Sequence, residues 1–370
     1  MIRGSMVGAL LIGWLAITAA AVKPADTKKL IEMGWDEPDT KFLRENVARM
    51  EKTPFDGCVF HVMYRGTDGR DSNFTWQVWG RRAFTAAQLQ SAFDDLRATR
   101  VRTFTNNFLR VNTTPVDLDW FDDYSSVLGN VQLAASLART GPCRGVMLDL
   151  EQYKAKQWTY TKQKDAGKRS YEEYAAQVRL RGGQAMAALQ RGYPDLTVFL
   201  TFGYSLAYHE RPQGPLSQRA NGMVAPFVDG LFDSARGGTR IVDGHEISYA
   251  YRRPAQFQAA RQRMRVDMLP MIANPGAWRT RGSVGFGIWI DNDWPANGWN
   301  DSLPQRNYFP PDTFATALKA AVDATDEYVW VYAEKPRWWD ADTLYRRLPQ
   351  SYVEAVRRAQ MQAHSLKRRG

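Results

Sequence analysis

One feature limits what this chain can fold into more than any other: short apolar runs of strand length alternate, almost from end to end, with longer segments of helical spacing. Period two followed by period 3.6, repeated along a chain, predicts parallel strands covered by helices. The strand-like runs are residues 30–35, 57–62, 103–108, 146–151, 197–202, 240–246, 284–291 and 327–333. Helical patterns follow them. Phe42, Leu43, Val47 and Met50 recur after a start at Asp39 or Thr40, and further helices are expected over 85–99, 125–140, 171–191, 224–234, from Pro254, over 313–324 and over 352–362. Eight strands with intervening helices in one chain of 370 residues predict a single-domain α/β fold, the (β/α)8 TIM barrel. A doubly wound sheet would need a glycine-rich turn after its first strand, and none is present there. Gly282, Gly285 and Gly287 instead read as backbone room inside a tight barrel strand.

The ends and the bulk composition set the context. Arg3, an apolar run from Met6 to Thr18 and the small residues Ala19, Ala20 and Ala21 have the form of a secretory signal. The expected organisation is a signal peptide over 1–21, a barrel over 22–363 and a basic tail over 364–370. The mature protein is then a secreted or periplasmic monomer with no stable membrane association. Hydrophobic residues make up 44% of the chain, enough for a full core. Two cysteines, Cys58 and Cys143, exclude a disulfide scaffold, and their places in and before predicted strands argue against pairing. The charge of +10 has no nucleic-acid motif beside it, so no nucleic-acid partner is expected. With His61, His209, His245 and His364 as the only histidines and no helical pair at ligand spacing, neither a metal nor another cofactor is expected. An oxygen-ligand site among Asp291, Asn292 and Asp293 stays open at this stage.

Strand parity picks out the chemistry. Along 146–151, Val146, Leu148 and Leu150 share one face, while Met147, Asp149 and Glu151 share the other, so two carboxyls converge where a barrel strand ends. Closely spaced acids in different environments suit acid/base work on an acetal. In the last strand Tyr328, Trp330, Tyr332 and Glu334 point inward. In the seventh, Gly285, Gly287, Trp289 and Asp291 do. The sixth ends in Asp243-Gly244-His245-Glu246, where parity is ambiguous and Glu246 is the preferred second carboxylate, with Asp243 or His245 as alternatives. Trp35, Asp36, His61, Asn107, Tyr204 and Tyr249 are further candidates for holding hydroxyls or stacking on sugar rings, with Trp289, Asp291 and Trp330. Trp294 belongs to the same group of strand-end aromatics.

Gly145, Asp149 and Glu151 match part of the fourth-strand signature of chitinase-like barrel glycosidases, and the mature chain as a whole resembles the secreted (β/α)8 glycoside hydrolase superfamily. Arg144 and Met147 stand where that signature has further aspartates. The resemblance implies a carbohydrate substrate, with Glu151 as general acid, Asp149 tuning it, and Glu246 or else Glu334 as nucleophile or base. Asp36 and Trp330 would also lie at the site. An acidic glycan is suggested by Arg252, Arg253, Arg279 and Arg281. Two other readings are a barrel that binds carbohydrate without cleaving it, and a lyase or esterase for acidic glycans with Tyr204, Tyr249 or His245 as base.

Overall fold

The computed structural model describes residues 28–113, 118–293, 298–339 and 348–365. The leader over 1–21, Trp294 and the last five residues of the basic tail lie outside these. Eight parallel strand positions form the barrel: β1 (Lys29–Gly34), β2 (Gly57–Phe60), β3 (Asn107–Asn112), β4 (Cys143–Asp149), β5 (Thr197–Leu200), β6 (Arg240–Asp243), β7 in two segments (Gly282–Val284 and Phe286–Trp289) and β8 (Tyr328–Ala333). β6 pairs with the first segment of β7 and β8 pairs with the second, so the chain itself closes the barrel through Gly285. The register couples β8 back to β1 over six residues, from Lys29↔Tyr328 to Gly34↔Ala333.

Parity behaves as expected. Ile31, Met33, Val59, Phe108, Met147, Phe199, Val242, Tyr328 and Trp330 fill the interior, while Leu30, Leu109, Val146, Leu148, Val198, Ile241, Val329 and Val331 belong to the outer core that the helices cover. Phe108, Phe199 and Tyr328 meet edge to face, with centroids 5.4–5.7 Å apart, and plug the lower half. Two glycines are required by close approach. A Cβ at Gly145 would sit 1.9 Å from the Thr197 carbonyl oxygen, and one at Gly287 would sit 2.6 Å from the Trp330 ring.

Helices start where local chemistry satisfies their free amides. Asp39 caps α1 (Thr40–Met50) by accepting from the Phe42 N–H, and Ser170 with Glu173 forms a capping box on the helix Tyr171–Gly192. The expected 85–99 helix is a 3-10 turn, Ala86–Leu89, leading into Gln90–Ala98. Between β2 and that turn the chain adds a hairpin, Met63–Arg65 with Asp71–Asn73.

The clearest departure concerns β3, which begins four residues later than the apolar pattern predicts. Glu51 Oε1 accepts from the backbone N–H groups of Arg102, Thr103 and Phe104, which makes that stretch a turn. Asn107 therefore starts the strand instead of ending it. Cys58 and Cys143 are buried free thiols, both pushed up by burial. No described helix is long and apolar enough to cross a membrane.

Candidate active site

The C-terminal ends of the strands surround a cavity of ≈ 410 Å³. Among the described residues its acidic lining is Asp149, Glu151, Glu246 and Glu334, its one guanidinium is Arg110, and its aromatic lining includes Trp35, Trp76, Tyr153, Tyr249, Trp289 and Tyr332. The inward parity of β3, read from its true start, explains Arg110: Phe108 fills the interior and the guanidinium two residues on reaches the mouth.

Asp149 ends β4 and is fully buried. It accepts from Asn112 Nδ2 at 3.2 Å, from the Tyr153 hydroxyl at 3.1 Å and from the Glu151 N–H at 3.1 Å. Arg110 stands between it and Glu37, 4.0 Å from Asp149 and 3.2 Å from the Glu37 carboxylate, with its guanidinium 5.1 Å from the centre of the Trp76 ring. Burial pushes Asp149 up to about 6, with Arg110 opposing and the Glu151 charge adding to the rise.

Glu246 reaches the cavity through a pinned turn. His245 sits in the left-handed region at φ 46°, uncommon for a residue with a side chain. The turn is held because the Gly244 carbonyl accepts from the Trp330 indole and the Glu246 N–H donates to the Thr201 carbonyl. This geometry resolves the ambiguity in the sixth strand. Asp243 turns away and accepts from Ser205 and the His245 N–H, while the His245 ring packs beside Tyr251 and Phe286, buried and lowered to about 3 by burial and by Arg263.

The Glu246 carboxyl faces the same cavity as the Glu151 carboxyl and the Tyr249 hydroxyl, both of which act on its charge. Burial, then the charge of Glu151, hold Glu246 well above the usual carboxylate range. Burial and the neighbouring Glu151 charge therefore both favour the protonated form of Glu246.

The aromatic wall is continuous. Tyr249 stacks on Tyr332 at 5.3 Å and 17°, with Trp289 edge-on to both, and Trp330 backs Tyr249 from the interior. Trp35, 60% exposed, forms the rim. Tyr332 donates to Glu334 at 3.0 Å.

Of the residues named from sequence, Trp35, Asp149, Glu151, Glu246, Tyr249, Trp289 and Glu334 line this one cavity. The others do not. Asp36 accepts from the backbone N–H groups of Trp338 and Trp339 and so ties down the loop after β8. His61 stands behind Glu37 at 3.7 Å. Asn107 lies at the opposite end of the barrel, bonded to the Cys58 N–H and to the carbonyls of Phe104 and Pro142. Tyr204 is buried, donates to Asp229 and stacks on Phe232. Asp291 accepts from the N–H groups of Glu334 and Lys335 and from the Trp289 indole, so it positions residues that line the cavity. Trp330 is interior core.

The arginines that suggested an acidic glycan are also elsewhere. Arg281 binds the Gly237 and Thr239 carbonyls at the far end of the barrel, Arg279 is exposed, Arg252 lies over Tyr308, and Arg253 lines a separate surface groove. Among the described residues no group of three or more His, Cys, Asp or Glu is arranged to hold a metal ion. Asp293 is paired with Lys335 at 2.7 Å.

No family model matches the chain, and no curated protein sequence matches it significantly. Among solved structures it is similar to GH5_18 from Streptomyces cattleya in complex with GlcNAc, at 14% identity over 93% of this chain and 81% of that one, with a TM-score of 0.43. It is also similar to an endocellulase from Pyrococcus horikoshii (8%, 90% and 92%, 0.43) and to a GH5-4 broad specificity endoglucanase from Bacteroides salanitronis (12%, 76% and 87%, 0.39). Likenesses of this strength do not bear on which residues act here or on what.

Proposed function

We propose that this protein is a glycoside hydrolase working outside the cytoplasm, with Glu151 and Glu246 as its catalytic pair. The observation that carries the reading is their meeting: two carboxyls, one just after β4 and one in the turn after β6, line one cavity walled by aromatic rings. A cavity of that volume suits a small saccharide segment. An inverting pair holds a water between its carboxyls at about 6.5–9.5 Å, and the strong action of the Glu151 charge on Glu246 favours the shorter spacing of about 5–5.5 Å that a retaining pair keeps.

The chemistry that follows is retaining. Glu246, kept protonated by burial, gives its proton to the glycosidic oxygen as the C–O bond breaks, and the Glu151 carboxylate bonds to the anomeric carbon. Glu246, now charged, takes a proton from water, whose oxygen displaces Glu151 and regenerates the free acid pair. These roles are exchanged relative to those the fourth-strand resemblance implies, and the burial of Glu246 is the reason. Asp149, fixed by three donors, holds the Glu151 backbone in place. The lyase reading loses two of its candidate bases, since Tyr204 and His245 lie outside the cavity.

The test is a hydrolysis screen of the full-length protein on neutral, amino and acidic oligosaccharides, beside Glu151→Gln and Glu246→Gln. Each substitution is expected to lower turnover by about 10²–10⁴-fold, with azide restoring activity to the Glu151 variant as a glycosyl azide of inverted configuration. Wild-type turnover in both variants would refute the assignment. Glycan binding without any hydrolysis by the wild type would favour the non-catalytic barrel.

A further inference from the structure

Resting on the hydrolase reading, we infer that the cavity takes a glycan bearing protonated amines, an amino sugar, and that Glu334 is the specificity-determining carboxylate that receives the amine. The first ground is charge. Four carboxyls line the cavity, with Glu246 the protonated one among them, against one guanidinium among the described residues, that of Arg110, which is already held between Glu37 and Asp149. Asp291 adds negative potential behind Glu334, while Asp293 is offset by its pairing with Lys335. The nearest ammonium in sequence, Lys335, is turned to Asp293. Among the described residues no lysine or arginine is ion-paired with Glu334, whose partly exposed carboxylate takes only the Tyr332 hydroxyl.

The second ground is the wall around it. Trp35, Tyr249, Trp289 and Tyr332 line the same cavity, and aromatic faces attract cations as well as stacking on sugar rings. Aromatic faces beside a carboxylate that no described cation pairs form an environment that an ammonium satisfies more fully than a hydroxyl does. A uronic acid would bring a further carboxylate against these acids, and like charges held together in a semi-enclosed site exclude the ligand that carries them. The site therefore selects against the acidic glycans that the surface arginines suggested.

The experiment measures binding to full-length Glu246→Gln, which slows turnover and preserves the neutral state that burial gives this side chain. Glucosamine, N-acetylglucosamine, cello- and galacturonic oligosaccharides of equal length are titrated calorimetrically in mildly acidic buffer, where the amines are protonated. The glucosamine oligomer is expected to bind at least about tenfold more tightly than its neutral counterparts, the galacturonic oligomer most weakly. Adding Glu334→Gln should bring the amino-to-neutral ratio close to one, Glu334→Asp should keep part of it, and added salt should shrink it in the parent. Melting curves establish that each variant is folded.

An unchanged ratio in the Glu334→Gln protein, or equal binding of amino and neutral oligomers to the parent, would overturn the inference. If the wild type cleaves neutral glycans with no amine preference, the inference falls and the hydrolase reading stands. If it cleaves nothing, the hydrolase reading falls, and the binding ratio still decides the inference.

Discussion

The two ends of the barrel bury similar polar residues to different ends. At the floor, Asn107 bonds one amide N–H and two carbonyls and so completes the backbone where β3 begins, and Asn106 accepts from the Tyr328 hydroxyl. At the mouth, one Glu246 oxygen and one Glu37 oxygen are buried with no hydrogen-bond donor among the described residues, and Asp149 is pushed up to about 6. A polar group whose bonding is complete within the fold does structural work. One left incomplete beside a cavity has capacity for a substrate.

Asp149→Asn sharpens this contrast most. Activity on a responding glycan should fall by about 10²-fold, because a misplaced catalytic group is costly even when nothing else moves. Stability should move the other way. The folded pKa of Asp149 is raised, so its favourable contribution is complete below the unfolded value of 3.8 and is lost as pH rises through about 6. At neutral pH an uncharged side chain should therefore stabilise the fold by about 1–3 kcal/mol, seen as a higher melting temperature that vanishes in acid. A lower melting temperature at neutral pH together with unchanged turnover would show that Asp149 is a structural residue like those of the floor.

Asn107→Ala makes the converse test, with a smaller effect. Losing its bonds leaves the Cys58 N–H and two carbonyls without their partner, costing about 1–3 kcal/mol of stability by denaturant titration, while turnover of the folded protein stays at the wild-type level. A fall in turnover at full folding would place chemistry at the floor.

The barrel was legible because its apolar residues alternate strictly: Val146, Leu148 and Leu150 against Met147, Asp149 and Glu151 could be sorted by parity alone, as could Tyr332 and Glu334. The limits of β3 were not, since the Asn106–Asn107 pair looks like the polar end of a strand and the contact that makes 102–104 a turn comes from distant Glu51. That four-residue shift hid Arg110, although its alternation with Phe108 was the available signal. Glu246 follows a left-handed residue, which no parity count anticipates. Trp76 and Tyr153 come from irregular segments and meet at 5.1 Å across the mouth, a proximity with no periodic trace in the chain.

The pairing of Glu151 and Glu246 is tested most directly by the anomeric configuration of the first product, read by proton NMR during hydrolysis before mutarotation. A retaining pair requires the released sugar to keep the configuration of the bond that was cut. A product of inverted configuration would mean that water attacks directly across a wider gap, and would contradict the paired arrangement on which the proposed mechanism depends.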